Sequence, residues 1–202
     1  MISLKRRTAN SVMFIAVAAA SACAAAAAGD PPAIPDGRTE TTVYLVRHGE
    51  KMSETETDPD LSDKGRARAE SLAVQLRDSG VNMIITSHLK RTIQTAAPLA
   101  KLRNIRPKVI PIEPTVDAHV DRIAREITSH PGATILVVGH NNTVNLILQK
   151  IGGGRIGDLC IDEYANLVIV SLSKGKTAKL LLETYGVPDP PSSDKCTHLI
   201  DR

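Results

Sequence analysis

Six short runs of apolar, partly β-branched residues recur along the chain, at 42–47, 81–86, 107–112, 133–138, 166–172 and 177–184. Their length, β-branched content and bounding turn residues predict strands. Between the first five runs, apolar residues recur at helical spacing. The four sets are Ala69, Leu72, Ala73 and Leu76; Ile93, Ala96, Ala97 and Ala100; Val120, Ile123, Ala124 and Ile127; and Val144, Ile147, Leu148 and Ile151. Each predicts an amphipathic helix. Ser62 and Ser87 stand where N-caps belong, Gly80 and Gly152 where helices should stop, and Pro98 should bend or shorten the second helix. Buried strands alternating with helical crossovers predict the α/β class, a three-layer α/β/α sandwich with a mostly parallel central sheet. Ser173–Lys176 reads as a hairpin tip between the last two strands. Gly152-Gly153-Gly154-Arg155 follows a helix instead of a strand and lacks Gly-Lys-Ser/Thr, so it reads as a helix stop and not as a phosphate cradle.

The N-terminus breaks this rhythm. Lys5-Arg6-Arg7 precedes an apolar stretch that becomes Ala-rich up to Ala28, with no acidic residue before Asp30. A basic start, an apolar centre and a small-residue edge predict a secretory signal over 1–28, and hence an exported, periplasmic or secreted protein. An uncleaved membrane anchor and a lipid on Cys23 also fit, the latter because Ala20-Ser21-Ala22-Cys23 loosely resembles a bacterial lipobox. The expected organisation is this segment, a linker over 29–41, one domain over 42–185 and a tail over 186–202. In an oxidising compartment Cys160 and Cys196 would be a candidate disulfide; the alternative is a buried Cys160 and a free Cys196.

Composition then narrows the partners. The chain has 202 residues and a formal charge of +3, all of it due to Lys5, Arg6 and Arg7 in the signal, so the mature protein is formally neutral. Neutrality, the lack of Trp and the few aromatic residues argue against a nucleic-acid partner. A membrane partner is expected only through an N-terminal anchor or the Cys23 lipid. No two histidines or cysteines have metal-ligand spacing, so neither a metal nor another cofactor is expected.

Chemistry gathers at the ends of the predicted strands. Arg47-His48-Gly49 follows the first, Ser87 and Arg91 the second, and His140 the fourth. In an α/β sheet the ligand site lies outside the carboxyl ends of the strands, so these groups should meet in one cationic pocket. Guanidinium forks and helix N-termini suit phosphate oxygens. A neutral imidazole can attack phosphorus, giving a phosphohistidine that water later hydrolyses. The expected partner is a small phosphorylated substrate.

Three blocks carry a family resemblance: Leu45-Val46-Arg47-His48-Gly49-Glu50, Thr86-Ser87 with Arg91-Thr92-Ile93-Gln94-Thr95-Ala96, and Val138-Gly139-His140-Asn141-Asn142-Thr143. In this order they resemble the histidine phosphatase superfamily, the phosphoglycerate mutase-like proteins, over about residues 42–185. The resemblance implies His48 as nucleophile, Arg47 and Arg91 as phosphate clamps, and His140 as the partner that stabilises the transferred phosphoryl group. It also implies a metal-independent phosphomonoesterase. A mutase or a non-catalytic phospholigand binder stands as the alternative. Larger members protonate the leaving oxygen with a Glu after the second block, and here the candidates are Glu113, preferred slightly, and Asp117. The chain departs from the mutase pattern: Pro114 follows Glu113, the connection is short, and the extended insert around the acid is missing. Small phosphohistidine phosphatases of similar build manage without that acid. Glu50 reads as supporting, orienting a helix or an Arg. His88, His119 and His130 read as surface residues, and the acidic run from Glu54 to Asp60 as an exposed loop that could border the pocket.

Overall fold

The computed structural model describes residues 40–157 and 159–190. The signal, Cys23, most of the linker and Cys196 lie outside the described residues. Among those described, six strands form one sheet: β1 (Glu40–Arg47), β2 (Met83–Thr86), β3 (Lys108–Val109), β4 (Thr134–Gly139), β5 (Asn166–Ser173) and β6 (Lys179–Thr184). Four helices alternate with them: α1 (Asp63–Gln75), α2 (Lys90–Arg103), α3 (Val116–Thr128) and α4 (Asn141–Lys150). The strand order is β3-β2-β4-β1-β5-β6, with β1 to β4 parallel and β5 and β6 antiparallel.

The apolar runs are continuous because both faces of the sheet are covered. On one face Val43, Leu45, Ile135 and Val137 pack against Ile123 and Ile127 of α3 and Ile147 and Leu148 of α4. The intervening residues Val46, Leu136 and Val138 turn to the other face, where Leu72 of α1 and Leu99 of α2 cover them. That alternation makes the three layers.

Helix ends follow local chemistry with two departures from the sequence reading. Ser62 caps α1 by accepting from Gly65 N–H at 3.1 Å. Ser87 does not cap α2. The cap position is Leu89, and the carboxylate of Asp58 takes the Lys90 N–H at 2.9 Å from outside the helix. Pro98 does not end α2, which runs on to Arg103 and closes at Asn104 in the left-handed region (φ 52). Gly152, with φ 78, directly follows the end of α4, and Gly175, with φ 74, turns the β5–β6 hairpin. Strand β1 opens at Glu40, and Asp189 packs onto the body through both carboxylate oxygens.

Candidate active site

The parallel strands bring the carboxyl ends of β1, β2 and β4 to one edge, with Arg47 beside Gly139 in register and Thr86 beside Val138. The three sequence blocks leave the sheet there. His48 N–H continues the ladder by donating to Gly139 O at 3.0 Å. The chain then passes α1 so closely that a Cβ on Gly49 would lie 2.8 Å from Gly65 O, and one on Gly65 would lie 2.2 Å from Glu50 O. Only glycine fits at either position, which gives the residue after His48 a packing reason.

His48 and His140 meet edge to face, their ring centroids 5.3 Å apart. Both are buried. Nδ1 of His48 lies 2.7 Å from Gly49 O. A carbonyl only accepts, so Nδ1 carries the proton and Nε2 keeps its lone pair. Burial first, then the charges of Arg47, Arg91 and Lys51, push the His48 pKa down to about 3 against the pull of the Gly49 carbonyl. His140 is held well below its ordinary value by burial, then by His48 and the same two guanidiniums. His140 precedes α4; its N–H donates to Thr143 Oγ1 at 2.8 Å, and its Nε2 shares a hydrogen bond with Ser87 Oγ at 3.0 Å. Ser87 is in turn 2.9 Å from Thr92 Oγ1. The serine expected to cap a helix instead holds an imidazole.

The guanidiniums are fixed by different means. Arg47 Nη1 donates to the carbonyls of Cys160 (2.9 Å), Ile161 (2.8 Å) and Glu163 (2.9 Å), and the guanidinium carbon sits 3.9 Å from the centroid of the Tyr164 ring. Arg91 comes from the first turn of α2, and its Nη1 is 3.8 Å from Asp58 Oδ1. In both arginines Nε is buried and finds no acceptor among the described residues. Orphaned guanidinium donors beside two neutral imidazoles suit an oxyanion. Around them lies a cavity of about 370 Å³, completed by Lys51, Ile112, Asn141, Asn142 and Ile161. Asn141 and Asn142 begin α4, so the positive end of that helix faces the cavity. A larger groove of about 560 Å³ between α1 and α2 is lined by Glu70, Gln94 and Lys101 among others but brings no histidine to it.

The remaining predicted residues fall outside this cluster or support it. Glu113 is exposed and does not line the cavity, although its neighbour Ile112 does. Asp117 lines a separate surface depression with Asp121 and Lys150. Glu50 pairs with Arg68 beneath the site. His119 is fully buried, contrary to the surface reading, with Nδ1 3.1 Å from Pro111 O. His119 stands four residues before Ile123 and so shares the buried face of α3, and the Pro111 carbonyl, which also accepts from Arg122 Nη2, lies against it. His88 is exposed, as expected, and accepts the Ile112 N–H at 3.2 Å. His130 is half-buried against Glu126. The acidic run does border the site through Asp58 and through Glu54, which reaches Lys51. Sequence reasoning missed Lys51, Tyr164, Arg68 and Asp189. Lys51 adjoins the first block and could have been found there, whereas the others carry no local signal.

Comparison with known proteins converges on one family. Residues 43–113 match the histidine phosphatase superfamily (branch 1). The chain is 24% identical over 152 residues to the uncharacterized phosphatase PhoE of Bacillus subtilis, covering 56% of this chain and 79% of that protein. It is 37% identical over 69 residues to phosphoserine phosphatase 1 of Hydrogenobacter thermophilus, covering 31% of this chain and only 33% of the relative. Among solved structures, the mycobacterial glucosyl-3-phosphoglycerate phosphatase superposes with TM-score 0.57 at 14% identity, covering 72% of this chain and 98% of its own. The protein histidine phosphatase SixA, complexed with tungstate, superposes with TM-score 0.56 at 15% identity, covering 71% and 96%. At such identities the structural likeness shows the shared fold.

Proposed function

We propose, because this chain belongs to the histidine phosphatase superfamily, that it hydrolyses small phosphate monoesters through a phosphoryl group carried on His48. The observation that carries the reading is the 5.3 Å approach of two neutral imidazoles beside two guanidiniums whose buried Nε donors have no acceptor among the described residues.

The chemistry follows from these groups. Arg47 and Arg91 hold the non-bridging oxygens and concentrate positive charge where the transition state needs it. The Nε2 lone pair of His48 attacks phosphorus as the P–O ester bond breaks, and the leaving oxygen takes up a proton. His140, with Nε2 protonated and its ring held by Ser87 Oγ at 3.0 Å, shares that hydrogen with the transferred group, and the N-terminus of α4 adds its field. Water then attacks the phosphohistidine; the P–N bond breaks, inorganic phosphate leaves, and His48 returns neutral. A pKa of about 3 keeps the nucleophile unprotonated throughout the neutral range. Glu113 is the proposed proton donor to the leaving oxygen, resting on its place beside the cavity-lining Ile112. Asp117, in its separate depression, drops out of this reading.

Export is part of the proposal. The basic and apolar N-terminus supports it, and the candidate Cys160–Cys196 disulfide would suit an oxidising compartment. Fractionation of cells producing the full chain tests it; a soluble cytoplasmic protein with an intact N-terminus would refute it.

Trapping with an alkaline detergent quench tests the reaction. Wild-type protein mixed with a ³²P-labelled monoester should yield an acid-labile, base-stable phosphoprotein that His48→Ala does not form, with free phosphate as the product. Turnover by a folded His48→Ala variant would overturn the assignment, and an isomerised ester in place of free phosphate would make the chain a mutase.

A further inference from the structure

We infer that Lys51 is a specificity-determining residue of this site, selecting phosphate esters whose leaving group carries a second anionic group, a carboxylate or another phosphate. The inference rests on the phosphatase reading above. Lys51 lines the same cavity as His48 and Arg91. Its backbone is pinned by an antiparallel bridge to Leu61, so the side chain starts from a fixed point at the mouth. That side chain is only 19% exposed, although an ordinary surface lysine would extend into water.

Charge supports the same conclusion. The cavity-lining residues include three cations, Arg47, Lys51 and Arg91, and no carboxylate. A phosphate monoester brings a charge of about −2 at neutral pH, which matches Arg47 and Arg91 and leaves Lys51 to its exposed counter-ion Glu54. Two carboxylates stand nearby, and their situations differ. Asp58 is already committed to the Lys90 N–H at 2.9 Å and only approaches Arg91 at 3.8 Å. Glu54 is 65% exposed and rests 2.6 Å from Lys51 Nζ. A carboxylate therefore fits against Lys51 at the mouth, and this one is free to swing into solvent when a substrate anion takes its place. Ile112 and Ile161 form the apolar remainder of the lip and offer no competing polar contact through their side chains.

The test compares ligands matched except for the second charge. Phosphoglycolate and 2-hydroxyethyl phosphate serve as substrates; phosphonoacetate and methylphosphonate serve as non-hydrolysable ligands by calorimetry. Wild-type protein should favour the anionic member of each pair. Lys51→Gln should reduce that ratio about tenfold, the scale of one lost charge-assisted hydrogen bond. Lys51→Arg should restore most of it, and Glu54→Gln should raise it by removing the competitor. No preference in the wild type, or an unchanged ratio in Lys51→Gln, would overturn the inference. If neither ester is hydrolysed the phosphatase reading fails, and the phosphonate ratio still decides the role of Lys51.

Discussion

Glu50 and Arg68 form a buried ion pair in which Nε lies 3.0 Å from both carboxylate oxygens and Nη2 lies 2.7 Å from Oε1. Neither residue lines the cavity, yet together they tie two of its walls. Glu50 fixes the segment that carries His48. Arg68 continues to Asp189 Oδ1 at 3.3 Å, and Asp189 Oδ2 accepts the N–H groups of Tyr164 and Ala165 at 2.8 and 2.7 Å. Tyr164 is the ring on which Arg47 rests.

Arg68→Met should therefore destabilise the protein by about 3 kcal/mol, because it leaves a largely buried carboxylate without its main partner. Urea denaturation measures this directly. Burial opposes ionisation of Glu50, but Arg68 overcomes it and holds the carboxyl below its ordinary value. The pair's contribution is complete above the unfolded carboxylate pKa and lost as pH falls through the folded one. A wild-type stability matching that of Arg68→Met at neutral pH would contradict the prediction.

The buried histidines act over a different pH window. His48 titrates near 3 when folded and near 6.5 when unfolded, so between these values the unfolded chain binds a proton that the folded chain refuses. Each unit of acidification in that window should cost about 1.4 kcal/mol per histidine, with full stability restored above it. His140 and His119 are shifted in the same direction, chiefly by burial. Replacing His48 with Asn should flatten the slope of stability against pH between 6 and 4 by about one proton. An unchanged slope would mean that His48 is not held neutral.

Ser87→Ala should lower kcat more than it raises KM, since the hydroxyl orients His140 and does not line the cavity. Loss of the Nε2 partner in a buried ring should also reduce stability by about 1 to 3 kcal/mol. Ser87→Thr keeps a hydroxyl and should recover part of the rate. Steady-state kinetics of the two variants decide the point; equal rates for Ala and Thr would remove the positioning role.

Glu113→Gln separates an acid from a bystander by the leaving group. If Glu113 delivers the proton, kcat for an alkyl phosphate should fall by about a hundredfold, while that for a nitrophenyl phosphate should hardly change, because nitrophenolate leaves without protonation. Equal effects on both esters would exclude the role and leave solvent as the proton source.

The order of elements, the strand runs and the three blocks with His48, Arg47, Arg91 and His140 were legible in sequence, because each rests on residues close along the chain. Periodicity depends on which face of a strand or helix is buried, and parallel strand-to-helix junctions gather at one edge in any such sheet. What tertiary structure alone decided lies between distant segments. Asp58, not Ser87, takes the first N–H of α2; Ser87 is bonded to His140; Arg47 lies on Tyr164; and Asp189 joins the body through Arg68. His119 lies on the buried face of α3, four residues before Ile123, and Pro111 O accepts from its Nδ1 there. The other four pairs lie tens of residues or more apart along the chain, and only the packing of both layers onto the sheet sets which donors and acceptors face each other. The sequence supplied the reacting groups, and the fold supplied the partners that orient them and the burial that keeps both imidazoles neutral.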